Sequence, residues 1–155
     1  LNQIAKIIFA INPRTVYFLS DLFHARHNTE FTWLETWLDH FANVNFVLII
    51  GNHDTSIMAH LPEKLTATTT VIKNNIVLTH EPLSQIATNQ YNIAGHIHPG
   101  VVLKGKGRQS AKLPCFWLTK NQMIMPAFGN LTGSVKMPTK NAQIFALLGD
   151  EILEV

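Results

Sequence analysis

Hydrophobic residues in the first third of the chain follow two different spacings. Apolar positions recur at three- and four-residue steps across 1–11 and across 33–41, which predicts two helices, and Pro13 ends the first of them. Continuous apolar runs at 16–19 and 46–50 predict buried strands. The order of these elements indicates a parallel sheet with helices on its faces. Aromatic residues of the second helical stripe are expected in the core: Trp33, Trp37 and Phe41.

The second half of the chain changes character. Short β-prone runs separated by Asn, Gly and Lys turns predict eight strands, at 69–73, 76–79, 92–94, 101–103, 112–118, 122–125, 143–148 and 152–155. Residues 1–155 are therefore predicted to form one α/β domain with two sheets.

Composition narrows the class of protein only a little. The 155 residues are 46% hydrophobic and 14% charged, enough to bury a core without disulfides. The net charge of +2 is too small to predict a nucleic-acid partner and does not exclude one. The single cysteine, Cys115, precludes an intrachain disulfide and is expected to be packed in the core. This fits a reducing cytoplasm. There is no run of eighteen apolar residues, so no membrane partner is expected.

Polar residues that can bind metals follow the predicted strands: Asp21, Asn52, His53, His80, His96 and His98. Strand ends converge on one edge of an open α/β sheet, where ligands bind. Imidazoles with a carboxylate and an amide oxygen suit Mn, Fe or Zn. Taken singly, each residue has an ordinary alternative, such as a turn aspartate or a structural histidine. Their joint occurrence favours a metal site.

Two short motifs are the most specific. In Gly51-Asn52-His53-Asp54 the glycine permits a tight turn directly after a buried strand. In the Gly-His-Ile-His motif at 95–98, alternate residues of an extended segment point the same way. Both imidazoles of that motif could then reach one dimetal centre.

The order of these motifs resembles the calcineurin-like metallophosphoesterase family. That family is described by five blocks: Asp-x-His, Gly-Asp, Gly-Asn-His-Asp/Glu, a single His, and Gly-His-x-His. The last three match here, the second has Ser20 in place of glycine, and the first is absent. The resemblance implies a four-layer α/β-β/α sandwich. Because the chain opens with a helix and lacks the first block, we expect it to be N-terminally incomplete and without the first strand. A naturally short variant is the alternative.

The resemblance also implies a site with two divalent ions in the complete protein, most simply Mn with Fe or Zn as alternatives. Asp21 would bridge the ions. Asn52, His80 and His96 would complete the second ion. His98 would bind the first.

The implied reaction is hydrolysis of a phosphate ester by a metal-bound hydroxide. His53 would protonate or stabilise the leaving oxygen, and Asp54 would orient the His53 loop. Segments 21–26, 79–82, 113–116 and 125–129 resemble the bacterial ligase-associated DNA damage response nucleases.

This finer resemblance implies a DNA substrate and a DNA ligase and helicase system as partners. A basic loop with Lys104, Lys106, Arg108 and Lys112 could bind phosphates, although a solvated hairpin is an equal alternative. Two other functions stay open. One is a phosphodiesterase or phosphatase of nucleotides or other small molecules, and the other is a non-catalytic scaffold. The oligomeric state has no sequence signal.

Overall fold

The computed structural model describes residues 1–19, 29–51, 58, 61–107, 109–129 and 132–155. They form two compact units. The first comprises residues 1–69 and the second residues 70–155.

The first unit is a small parallel sheet with two helices. Its elements are α1 (Asn2–Ile11), β1 (Thr15–Phe18), α2 (Thr29–Asp39), β2 (Asn45–Ile49) and β3 (Leu65–Thr68). The strands lie in the order β1-β2-β3, and both pairings are parallel. Asn12 adopts a left-handed φ of 44° and its backbone N–H bonds to Ile8, so α1 ends just before Pro13 as predicted.

The core of this unit is formed by both helices and the sheet. Leu38, Phe46 and Leu48 are almost completely buried, and the Trp37 and Phe46 rings pack with centroids 5.7 Å apart. The prediction that Trp33 is a core residue is wrong, because 70% of it is exposed. The buried line of α2 runs through Leu34 and Leu38. Trp33 is one residue, about 100°, around the helix from Leu34.

The second unit is a mixed sheet of nine strands: β4 (Thr70–Lys73), β5 (Ile76–Thr79), β6 (Tyr91–Ala94), β7 (Pro99–Lys104), β8 (Ser110–Leu118), β9 (Gln122–Ile124), β10 (Val135–Lys136), β11 (Gln143–Leu148) and β12 (Glu151–Glu154). The strands follow the order β10-β7-β8-β9-β6-β5-β4, while β11 pairs with β8 and β12 with β11. β5, β6 and β9 are parallel neighbours. Val101, Cys115, Ile144 and Ala146 form a buried cluster.

The predicted α/β class is confirmed, and each predicted strand has a counterpart within a few residues. Two short strands were not predicted. β3 lies directly before β4 but belongs to another sheet, and β10 has only two residues. The four-layer sandwich, the missing first strand and the single domain stay predictions. Neither helix of the described residues is long and apolar enough to cross a membrane.

A candidate metal centre at two strand ends

Two histidines meet because two parallel strands end side by side. In the β5–β6 register Thr79 is paired with Ala94, so His80 leaves β5 where Gly95 leaves β6. The backbone N–H of Gly95 donates to the His80 carbonyl over 3.0 Å and extends the pairing by one step. His96 follows at once and places its ring beside His80. The predicted convergence of these strand ends is therefore observed.

The two imidazoles are in direct contact. Nδ1 of His96 lies 2.9 Å from Nε2 of His80, and the rings meet edge to face with centroids 4.6 Å apart. Only one of the two nitrogens can carry the proton of this hydrogen bond. His80 is buried, with 5% of its surface exposed, whereas the His96 side chain is 39% exposed. The pair therefore has an interior member and a solvent-facing member.

A carboxylate completes the group. Oε1 of Glu81 lies 3.9 Å from Nε2 of His96, and one ligand atom each from His80, Glu81 and His96 falls within 4.8 Å of the others. Among the residues that the structure describes, this is the one such group of three. Glu81 was not predicted as a site residue. Its only sequence signal is its position directly after His80.

The donor set and its spacing fit a divalent transition metal. Imidazole nitrogens are ligands typical of Zn, Mn and Fe, and the Glu81 carboxylate lies beside the outer nitrogen of His96. Two nitrogens bound at about 2.1 Å to one ion lie about 3.0 Å apart at a right angle and about 3.4 Å apart at a tetrahedral angle. The 2.9 Å between His80 and His96 is close to the right-angled value. The separation of the two nitrogens therefore suits one ion, and binding would require the ring that donates the hydrogen bond to lose that proton and turn its lone pair towards the ion.

The backbone of the Gly-His-Ile-His segment differs from the prediction. His96 has φ 59° and His98 has φ 50°, both left-handed, so the segment is bent and not extended. Alternation along a strand therefore does not describe how these two side chains point. Left-handed backbone at a residue other than glycine costs about 1–3 kcal/mol and clusters at functional sites. The bend is held by the Ile97 N–H bonding to Gly95 and the Val135 N–H bonding to His98.

A buried amide supports the end of β5. Asn92 is fully buried in β6, and its side-chain NH₂ donates to the Val77 carbonyl over 3.0 Å and to the Thr79 hydroxyl over 2.9 Å. The Thr79 hydroxyl donates in turn to the Glu81 carbonyl over 2.7 Å. A continuous path of hydrogen bonds therefore runs from the interior of β6 to the segment that carries His80.

The side-chain oxygen of Asn92 holds the loop that follows Glu81 by hydrogen bonds. Oδ1 of Asn92 accepts the backbone N–H of Leu83 over 3.1 Å and the side-chain NH₂ of Gln122 over 2.9 Å. Gln122 also donates to the Leu83 carbonyl over 3.1 Å. Asn92 thus uses both donors and both acceptor sites. Neither Asn92 nor Gln122 was singled out from the sequence, although a polar residue within a buried strand was a usable signal.

The remaining predicted site residues divide into two sets. Asp21, Asn52, His53 and Asp54 lie outside the described residues, as does Arg108. His98 is half-buried and lies outside the group of three described above. Its backbone is fixed by the bond from Val135. The roles proposed for these residues stay predictions.

Cys115 is packed as expected. It is fully buried in the second unit, and burial raises the pKa of its thiol. Both features oppose a nucleophilic role, since the thiolate is the reactive form.

A comparison with solved structures shows that the fold of this chain is similar to that of a nuclease. The chain is similar to the crystal structure of Pseudomonas putida nuclease MPE, with a TM-score of 0.79 and 27% sequence identity. The match covers 94% of this chain and 72% of that one. No protein-family model matches the sequence, and no curated protein matches it. Over nearly its whole length, this chain has the fold of a structurally characterised nuclease.

Proposed function

We propose that this protein is a metal-dependent phosphodiesterase of the calcineurin-like metallophosphoesterase family that cleaves DNA. The observation that carries the proposal is the contact between His80 and His96, 2.9 Å apart at neighbouring strand ends, with Glu81 beside them. The likeness to a nuclease fold supports the same conclusion. The order of motifs in the sequence supports the family and its four-layer sandwich.

His80 and His96 would hold a divalent ion, most simply Mn, with Fe or Zn as alternatives. The motif resemblance adds Asp21 and Asn52 to this ion and places His98 on a second. Bound ions would lower the pKa of a water molecule and offset negative charge on the phosphate.

Side chains near the ions would donate a proton and position the reacting groups. His53 would give a proton to the leaving oxygen, and Asp54 would hold the loop that presents it. Glu81 faces the Nε2 edge of His96, while Nδ1 of His96 faces His80. A carboxylate at the outer nitrogen of a ligating histidine fixes its tautomer and orientation. At 3.9 Å the two atoms are not hydrogen-bonded, so Glu81 would have to approach His96 when the ion binds in order to act as its positioning residue.

The motif resemblance also supports a cellular setting. A place beside a DNA ligase and a helicase in the cytoplasmic response to DNA damage is the setting we propose.

The test combines metal analysis with a substrate panel. The purified chain is stripped with EDTA, reloaded with Mn and assayed on bis(p-nitrophenyl) phosphate, p-nitrophenyl phosphate, a cyclic nucleotide, and single-stranded and duplex DNA. We expect Mn-dependent cleavage of the diester and of DNA. His96→Gln should lower both metal content and turnover, whereas His40→Gln, at an exposed histidine on the first unit, should change neither.

Three results would count against the proposal. Turnover by the EDTA-treated protein would exclude metal dependence. Preference for the monoester or the cyclic nucleotide over DNA would point to a small-molecule phosphoesterase. Inactivity on every substrate with Mn bound would indicate a scaffold.

A further inference from the structure

Positive charge is concentrated in the second unit. Residues 82–149 contain seven Lys and Arg residues and no Asp or Glu, although the whole chain has a net charge of only +2. The net charge therefore understates the local charge to which a ligand of this unit would respond.

The register of three neighbouring strands places three lysines on one face. β7 lies between β10 and β8. Lys136 of β10 is paired with Gly100, and Lys112 of β8 is paired with Val102, two residues further along β7. Lys104 follows after another two residues. Paired residues share a face, as do residues two apart, so all three lysines are on the same side. We call this side of β7, β8 and β10 the lysine face.

The lysine face is turned to water. Lys104, Lys112 and Lys136 are all exposed. The opposite side carries Val101 and Cys115, which are buried in the cluster with β11. The three strands themselves contain no Asp or Glu. The lysine face is therefore a cationic surface without an opposing carboxylate on its own strands.

Gly100 allows one lysine to lie flat on this surface. A Cβ at Gly100 would lie 2.6 Å from Oγ of Ser134 and 3.2 Å from Cε of Lys112. The Lys112 ammonium donates to the Ser134 carbonyl, which holds the side chain across the glycine. An ammonium has three N–H donors, so the bond to Ser134 leaves two of them for a ligand. Lys112 is therefore a pre-positioned charge.

The lysine face also begins where the histidine segment ends. β7 starts at Pro99, directly after His98. The His98 carbonyl accepts from the N–H of Val135, the residue before Lys136. A short, hydrogen-bonded stretch of backbone thus joins the face to the segment that carries His96.

We propose that the lysine face binds the sugar–phosphate backbone of the nucleic-acid substrate, an inference that rests on the nuclease function proposed above. From Gly100 to Lys104 the face extends about 13 Å along β7 at ~3.3 Å per residue. That length corresponds to the axial rise of about four nucleotides of one DNA strand, at ~3.4 Å each. Ammonium groups contact phosphates and not base edges, so binding is independent of sequence.

The experiment measures the salt dependence of binding without cleavage. Short fluorescent single-stranded and duplex oligodeoxynucleotides are titrated with the full chain in EDTA, at salt concentrations from about 50 to 200 mM. The test variant is K104Q/K112Q/K136Q. The matched control is K73Q/K120Q/K140Q, which removes the same charge from exposed lysines outside the face. A third variant, K104Q/K136Q, preserves the bond from Lys112 to Ser134.

Each lost phosphate contact flattens the plot of log affinity against log salt by about 0.7 units for single strands and 0.9 for duplex. We expect the triple variant to flatten it by roughly two to three units, K104Q/K136Q by about two thirds of that, and the control variant not at all. Equal slopes in test and control variants would overturn the inference. The inference would also be overturned if the triple variant kept its binding to oligonucleotides but lost binding to phosphatidylserine vesicles, because the lysine face would then bind an anionic membrane surface.

Hydrolysis of bis(p-nitrophenyl) phosphate by the unsubstituted chain separates the two proposals. No hydrolysis with Mn, together with the expected change in slope, would overturn the enzymatic function and support the lysine face. Hydrolysis with unchanged slopes would overturn the lysine face alone.

Discussion

The side-chain NH₂ of Asn92 donates to the hydroxyl of Thr79 over 2.9 Å inside the second unit. The residue after Thr79 is His80, and the Thr79 hydroxyl itself bonds to the carbonyl of Glu81. A buried amide in β6 thereby fixes the end of the neighbouring strand β5, where the candidate metal centre begins.

Replacing Asn92 should therefore damage both stability and the site. Asn92→Leu removes four hydrogen bonds, two of them buried, and leaves the Val77 carbonyl and the Leu83 N–H without this partner, so we expect the free energy of unfolding to fall by about 2–4 kcal/mol. Urea denaturation measures this, with Asn89→Leu at an exposed asparagine as the control. At temperatures where the variant stays folded, its Mn affinity should also be lower than that of the unsubstituted chain. Unchanged stability and Mn affinity would refute the supporting role.

Glu81→Gln tests the positioning of His96. Loss of the carboxylate beside Nε2 of His96 should weaken Mn binding by about 10–100-fold, because in the proposed site Glu81 is the outer partner of a ligating histidine. Competition with a chelating dye measures the affinity, and Glu81→Asp should recover part of it. Glu151→Gln removes the same charge from an exposed residue of β12 and should have no effect. A Glu81→Gln variant with full affinity would exclude the role.

Gly100→Ala tests the close approach on the lysine face. The new methyl group would meet Ser134 at 2.6 Å, so the side chain of Ser134 must move. Overpacking of this kind typically costs about 1–3 kcal/mol. Thermal unfolding should show the loss, and Gly100→Ala/Ser134→Gly should recover part of it by removing the obstructing atoms. A double variant no more stable than Gly100→Ala would argue against the steric cause.

Cys115 predicts a pH dependence of stability. Burial raises the pKa of its thiol above the ordinary value of 9.0, so the folded state favours the neutral form. The contribution to stability is fully present below the ordinary pKa and is lost as pH rises through the raised one. We expect the free energy of unfolding to fall above about pH 9, and to fall less steeply in Cys115→Ala. The Tyr91 phenol, whose pKa burial also raises from 10.0, persists in both proteins and serves as the internal reference. Identical slopes would contradict the prediction.

The strand pattern could be predicted because it depends on local chemistry. The apolar runs that form β2, β5 and β6 are bounded by polar turns. Because the ends of parallel strands share one edge of a sheet, the positions of His80 and His96 directly after such strands were enough to predict their approach. Trp33 shows the limit of this reasoning. Helical spacing predicts an apolar stripe, but which side of a wide stripe is covered depends on the neighbouring sheet.

Two features of the site had no sequence signal strong enough to use. Glu81 resembles any solvent-facing glutamate until its distance to His96 is known. The left-handed backbone of His96 and His98 is accompanied by a hydrogen bond to the His98 carbonyl from Val135, which is far along the chain, and histidine has no intrinsic need for that conformation.

At His96 and His98 the residue type that would stabilise the left-handed backbone differs from the residue type that the proposed chemistry requires. Glycine would adopt φ values near 50–60° without strain, so the backbone alone favours glycine at both. β-branched residues are the least compatible with that backbone. Selection for thermal tolerance alone would therefore move these positions towards glycine, and only a requirement for imidazole would oppose it. On the metal role proposed above, relatives that have lost metal binding are expected to carry glycine at these two positions more often than relatives that keep it.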